Sequence, residues 1–572
     1  MNGIRPMVTS KRNLNDLKNQ QFDVVIIGGG ISGAWLALHC TQQGYSTALI
    51  EKHDYASQTS SSSSKLLHGG VRYLQQMQFG KVRESAIERA EYIYAAPHLS
   101  TPVPFVVPTF KDFPRSKFFL NCGMLAYQLL CFGQNRIIDS PEQQIPDTYS
   151  ISANELSKLI GTEDKSNTGA VVFYERHMFD SERMVLAILQ TARNDGAQIH
   201  NYVSATEFQK TDGIVSGLKA QDELTQESFN IQSKLVINAA GPWIDELNST
   251  LPKAQHAPSI SGFAVGSHIV TRQVSQQAIA LTTKHQSEAK VDRGGRHVFI
   301  IPWRGYSLIG TSYEETKAPE QNLNITASHV AQLLDAVNQA LPNAQLTTED
   351  LISGYSGLYP LNTDNIKSTV YQGSGEYQII DHANANGVNG LITALGAKYT
   401  TGRKLSELTM KVVNKKLSLS DTGASQIQRC KLLGSDYASL SKFSSEKTVQ
   451  YDNQLPKETT LHLIEQYGSQ LDQFMQRISD EPALLKTISD QAKDIMGQVV
   501  WAVEQEQAVS LNDVLFYRTS LGLMGIQQQE VEKVAQLMRE CLEWSDQEYQ
   551  KQLQTVQQKL ANTQAALSAH RH

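Results

Sequence analysis

Residues Phe22 to Asp54 read "FDVVIIGGGISGAWLALHCTQQGYSTALIEKHD", and this stretch decides the fold. Val24 to Ile27 are an apolar run of the kind that makes a buried strand. Three glycines follow as a turn, Ala34 to Cys40 carry a helical pattern, and "STALIEK" reads as a second strand. Strand, turn, helix and strand in that order open a doubly wound parallel sheet in an α/β protein.

The glycines fall as Gly28-x-Gly30-x-x-Gly33, with Ile31 and Ser32 between the last two as further cofactor-binding candidates. Gly28 permits the tight turn, Gly30 lets backbone N–H groups approach a pyrophosphate, and Gly33 allows close packing of helix on sheet. Glu51, followed by Lys52, ends the second strand, where an acid accepts the hydroxyls of a ribose. The combination predicts a dinucleotide with a free 2'-hydroxyl, FAD or NAD rather than NADP.

Working outward, a chain of 572 residues is too long for one ordinary domain. Its formal net charge of −6 gives no basic footprint for nucleic acid. The five cysteines are scattered without CxxC or His-flanked spacing, which argues against a metal site or a disulfide framework and for a reducing compartment. The polar N-terminus, without an apolar leader, predicts a chain that stays in the cytoplasm. Beyond Lys415 the composition turns to Ser, Gln and charge and then becomes helical. The expected layout is a polar extension over 1–20, a cofactor domain interleaved with a substrate domain over 21–415, a linker over 416–452, and a helical domain over 453–572.

After Glu51 comes "TSSSSSKLLHGGVRYLQ", Thr59 to Gln75. A serine run alone reads as a flexible linker. Here it resembles the flavin loop of the FAD-dependent glycerol-3-phosphate dehydrogenases. The resemblance continues through "APHLSTPVPFVVP", "FDSERMVLAILQTA", "INAAGPWIDEL", "GSHIV", "VFIIPWRGYSLIGTS", "SGLYPL" and "LGAKYTTGRKLSE", and it reaches "EQEQAVSLNDVLFYRTSLGLM" near the C-terminus. Nearly the whole chain is covered.

The resemblance implies a Rossmann-like FAD domain of the glutathione-reductase and D-amino-acid-oxidase type. It also implies an interleaved mixed-sheet substrate domain, a C-terminal helical cap, and hydride transfer from an alcohol carbon to flavin N5. By the same motifs, Thr59, Ser60, Ser63, Ser64, Lys65 and Leu66 are expected at the flavin, and His68, Gly69 and Gly70 at the bend beneath the substrate. Ala240, Gly241, Trp243, Gly396, Lys398, Tyr399 and Thr400 complete the cofactor set.

Catalysis is assigned to His268, Arg72 and Lys398. A histidine tuned near neutrality suits removal of a hydroxyl proton. Arg72, with Tyr73, offers a rigid fork for an anion. Lys398, before a helix N-terminus, favours negative charge on the reduced flavin. Thr400 and Thr401 are read equally as helix caps or ligand contacts.

The substrate end departs from the family pattern. Tyr359 stands where the family carries Arg, Gly375 where it carries a second Arg, Val265 where Lys is common, and Tyr313 where Asp is expected. Each charge-assisted bond to a phosphate is worth about 1.5 to 3 kcal/mol, so losing several weakens glycerol 3-phosphate unless Arg72, Lys398 or Arg403 compensates. The expected substrate is glycerol 3-phosphate or a related polyol derivative, bound by Arg72, Tyr73, His268, Tyr313, Tyr359 and Lys398, with quinone as electron acceptor. The alternatives are an oxidase using oxygen, action on a non-phosphorylated alcohol or amine, and a flavin-binding protein that has lost catalysis.

Lys117 to Arg136, "KFFLNCGMLAYQLLCFGQNR", has an apolar middle flanked by Lys111, Arg115, Lys117 and Arg136. It is too short to span a bilayer. A helix lying on the inner face of the cell membrane fits it, as does a helix buried against the body or in a homodimer contact.

Overall fold

The computed structural model describes residues 12–569 except 114, 161–165, 253–259, 283–296, 318, 320–322, 362–376, 397 and 418–427. Gly375 therefore lies outside the described residues, and the side chain of Arg72 is outside them as well.

The strand Gln21–Ile27 is buried from Val24 to Ile26, as its apolar run predicts. It pairs in parallel with Thr47–Ile50 on one side and Ser228–Asn238 on the other. Leu391–Leu395 extends the parallel sheet beyond Ser228–Asn238, and Gln198–His200 extends it beyond Thr47–Ile50. A strand with partners on both edges and helices over it reads as a continuous apolar run.

The helix after the glycine turn spans Ile31–Gln42, beginning three residues before the apolar pattern of the sequence suggested. It packs against Ser181–Asn194 and Gly402–Leu417. His39 and Ser406 share a hydrogen bond of 2.8 Å at the latter contact. The fully buried Trp35 donates to the Tyr92 hydroxyl at 2.8 Å, tying the helix to Phe79–Ala95.

A second, mixed sheet is built from segments inserted between strands of the first. Ser100–Thr109 and Gly169–Met178 come from one insertion. Gly262–Arg272, Ala278–Thr282, His297–Trp303, Tyr306–Gly310 and Leu351–Leu361 come from another. The two sheets enclose a cavity of about 800 Å³.

The C-terminal helices are joined to the cofactor domain by buried charge. Arg518 sends two bonds to Asp54, at 2.6 and 3.0 Å, and Arg183 pairs with Glu506. The described part of 416–452 is built rather than free. Leu440–Gln450 is a helix, and the Leu432 amide donates to the Ala95 carbonyl at 2.9 Å. Ser and Gln at its surface hid a segment anchored by a buried leucine.

Candidate active site

At the first strand's end, Gly28 has φ +106°, and a Cβ there would come 2.7 Å from the Ala239 carbonyl oxygen. At Gly33 a Cβ would lie 1.8 Å from the Gly28 oxygen, so both positions require glycine for different contacts. The Glu51 carboxylate is held by two backbone donors, Gly29 N at 2.6 Å and His53 N at 2.8 Å. Ser60 Oγ accepts from Ile31 N at 3.0 Å, which pins the serine loop to the helix N-terminus. Gly28, Gly30, Ile31, Ser32, Glu51 and Lys52 all line the cavity.

The serine run is folded, because its neighbours hold it. Thr59 Oγ1 donates to the Leu358 carbonyl at 2.6 Å, and Tyr355 OH donates to the Ser63 carbonyl at 2.6 Å. A Cβ at Gly357 would approach Ser62 Cβ to 2.5 Å, so the loop lies directly on that strand. Thr59, Ser60, Ser63, Ser64, Leu66, His68 and Gly70 face the cavity. Lys65 does not. With φ +52° it turns away, and its ammonium lies 2.8 Å from Glu182 with both side chains buried. Gly69 supports from behind. Its amide donates to Glu175 Oε2 at 2.7 Å, and a Cβ would strike Tyr127 OH at 2.0 Å.

His268 is 3% exposed and lines the cavity from the strand Gly262–Arg272. Its Nε2 is 2.9 Å from Ser64 Oγ, and its ring stacks on Tyr355 with centroids 5.1 Å apart. Gly310, opposite it in register, leaves the space the ring fills, since a Cβ there would sit 2.0 Å from His268 Cδ2.

Lys398 also lines the cavity. Its ammonium is 3.8 Å from the centroid of Tyr73, a cation–π contact, and 3.5 Å from Ser85 Oγ. Tyr399 donates to the Ser181 carbonyl at 2.6 Å, and burial holds its hydroxyl pKa well above the usual range. Gly396, Tyr399 and Thr400 line the cavity with Ala240, Gly241 and Trp243. The Thr400 hydroxyl and the Trp243 indole N–H are buried without a hydrogen-bond partner among the described residues, so Thr400 is not serving as a cap.

Arg72 is placed by its backbone in the short helix Val71–Gln75, after Gly70 at φ +77°. Tyr359 lines the cavity. Tyr313 is not a lining residue, and its hydroxyl donates to Glu315 Oε1 at 2.8 Å. Val265 is buried opposite Leu358 and packs with Phe263 and Leu395. Arg403 is committed elsewhere, with bonds of 2.8 and 2.7 Å to the buried Glu88, and does not replace the missing cations.

Glu175, Phe105, Phe173 and Phe299 also line the cavity and were not singled out in the sequence. The signal was an acid in an otherwise buried strand, "GAVVFYERHM". Burial raises the Glu175 carboxyl, opposed by the Arg89 guanidinium, which bonds it.

The residues present fit FAD. The glycine cradle is closed to side chains, the acid stands at the ribose position, and the orphaned Thr400 and Trp243 groups face a long cavity. The chain matches the family model of FAD dependent oxidoreductases over residues 23–403, and that of the C-terminal domain of alpha-glycerophosphate oxidase over 425–549. A glycerol-3-phosphate dehydrogenase of Synechocystis sp. is 30% identical over 555 residues, covering 95% of this chain and 97% of its own length. The aerobic glycerol-3-phosphate dehydrogenase of Staphylococcus saprophyticus is 30% identical over 521 residues, covering 88% and 87%. The crystal structure of glycerol-3-phosphate dehydrogenase from Bacillus halodurans, complexed with FAD, superposes with a TM-score of 0.76 at 25% identity, covering 96% of this chain and 97% of that one. Cradle, cavity and sequence thus agree: the chain is an FAD-dependent oxidoreductase of the glycerol-3-phosphate dehydrogenase family.

Proposed function

We propose that this enzyme oxidises a secondary alcohol, glycerol 3-phosphate or a related polyol derivative, and passes the electrons to quinone. When bound, FAD supplies the hydride acceptor. His268, oriented by Ser64 and by the face of Tyr355, takes the hydroxyl proton. Lys398 sets a positive charge beside the flavin position, and Tyr73 and Tyr359 line the cavity where the substrate would sit. The observation that carries this reading is the buried His268 at the cavity wall, with its imidazole fixed on two sides.

The exposed apolar face of one helix supports quinone as the acceptor. The helix Lys117–Leu130 buries Leu120, Met124 and Tyr127 but leaves Phe118 80%, Leu125 58% and Leu129 68% exposed. Exposed apolar groups flanked by Lys111, Arg115 and Arg136 suit the surface of an anionic membrane. Among the described residues no helix is long and apolar enough to cross a bilayer. A second reading, with oxygen as acceptor, is favoured by the match of 425–549 to the alpha-glycerophosphate oxidase model.

Anaerobic mixing with glycerol 3-phosphate and other polyols should bleach the flavin absorbance. Peroxide release measured against quinone-dye reduction then separates the two acceptors. Retention of oxidised flavin with every alcohol offered would reject alcohol oxidation.

A further inference from the structure

We propose that the cavity houses, beyond the reacting carbon, an apolar chain carried by the alcohol, so that the substrate is a polyol derivative bearing an alkyl or acyl substituent. This rests on the alcohol-oxidising reading above.

The floor of the chamber follows from strand register. In the pair formed by Ser100–Thr109 and Gly169–Met178, Val103 lies opposite Glu175, Phe105 opposite Phe173 and Val107 opposite Val171. Side chains two apart share a face, so Phe105, Phe173, Val107 and Val171 form one apolar surface leading away from Glu175. Ala280 and Phe299, opposite one another in the next strand pair, continue it. All six line the cavity.

The roof is the helix Lys117–Leu130, whose Leu120 and Met124 are also lining residues. It lies along the strand. Tyr127 stands at the Glu175 end beside Gly69 and Phe173, while Lys117 Nζ donates to the Ile151 carbonyl, opposite Ala170, at the other end. The four residue-to-residue steps from Glu175 to Val171 span about 13 Å. The far end is at the helix's first turn, where Phe118 is 80% exposed.

The charges agree with this shape. Among the described lining residues the lysines are Lys52 and Lys398, and neither is on the floor or the roof. Glu175 at the inner end is already bonded by Arg89 and the Gly69 amide. Among the described residues no lysine or arginine lines this floor or roof to replace the hydration a phosphate would lose there, whereas an alkyl chain gains by leaving water.

The test uses the holoenzyme. In calorimetry, 3-alkoxypropan-1-ols, which lack the oxidisable secondary alcohol, should bind about fourfold more tightly for each added methylene from ethyl to hexyl. In anaerobic bleaching, 1-O-alkylglycerols should gain in kcat/KM with the same dependence. Ala280→Phe and, independently, Val107→Phe should each shorten the chain at which the gain stops. If either variant fails to fold, the chain-length series on the unaltered enzyme still decides.

Bleaching by glycerol 3-phosphate with a flat alkyl series would overturn the chamber and leave alcohol oxidation standing. No bleaching by any alcohol would overturn both. If Ala280→Phe altered saturation by quinone and not the alkyl series, the chamber would belong to the electron acceptor, and the inference would fail.

Discussion

Ser64 Oγ lies 2.9 Å from Nε2 of His268, so the serine loop that wraps the cofactor position also fixes the imidazole at the opposite wall. The serine loop and the proposed proton acceptor are therefore coupled by one hydrogen bond. Ser64→Ala should slow anaerobic flavin reduction about three- to tenfold, the worth of one ordinary hydrogen bond. His268→Gln should slow it by about 10² to 10⁴. Equal rates for Ser64→Ala and the unaltered enzyme in stopped-flow would show that the bond does not orient the base.

Gly310 makes room for that imidazole, and a Cβ would meet it at 2.0 Å. Gly310→Ala should therefore displace the His268 ring while leaving the distant glycine cradle intact. The expected result is normal FAD content, read from the visible spectrum, with flavin reduction slowed about as much as in His268→Gln. Loss of FAD instead would mean that the substitution disturbs the fold and not the ring alone.

Arg518 and Asp54 are each about 1% exposed and bonded twice. Arg518→Met leaves the Asp54 carboxylate buried without that partner, which should cost about 3 to 5 kcal/mol. Denaturant unfolding and the rate of FAD release should both report it, because Asp54 opens the serine loop. The double variant Arg518→Met/Asp54→Leu should recover part of the loss.

His98, His177 and His200 are all buried, and burial pulls each pKa down to about 3, with nearby Arg183, Lys65 and Arg193, respectively, adding to the effect. The unfolded chain binds these protons below pH 6.5 and the folded chain does not, so stability falls as pH drops from about 6.5 toward 3. Between pH 6.5 and 5 each should cost about 2 kcal/mol. His200→Leu should flatten the acid side of the stability curve by about a third of this slope. An unchanged curve in urea melts at pH 5, 6 and 7 would refute the assignment.

Phe118 and Leu129 are exposed, so Phe118→Asp and Leu129→Asp should leave the melting temperature within a degree or two. Pelleting with anionic liposomes should fall several-fold in each, and further in the pair. Unaltered pelleting would move the membrane contact elsewhere or abolish it.

The cofactor half was legible because its rules are local. The run Val24 to Ile27, the spaced glycines and Glu51 each state their role within a few residues, and the structure places the run in register with Ser228–Asn238 and Thr47–Ile50. His268 was legible through resemblance to a family and not through any periodicity. The ammonium of Lys65 pairs with Glu182, far along the chain, a partner that the flavin loop's own sequence does not announce. The floor formed by Phe105, Phe173 and Phe299 was hidden for a similar reason. In sequence these are ordinary strand residues, and only pairing between distant segments brings them to one face. Within the segment expected as a linker over 416–452, the described residues include the helix Leu440–Gln450 and the buried Leu432, whose amide bonds the distant Ala95 carbonyl, a contact that polar composition does not signal.

The insertion of one sheet's segments between the strands of the other has a consequence for synthesis. Leu391–Leu395 takes its place beside Ser228–Asn238, and Gln378–Asp381 closes that edge. A ribosome must therefore release some two-thirds of the polypeptide before the cofactor sheet can be completed. Until then Ser228–Asn238 keeps an open edge in a growing chain, and open edges of apolar strands are where nascent proteins stick to one another. Shortened versions ending before residue 391 should accumulate as insoluble material instead of as a small flavin-binding module.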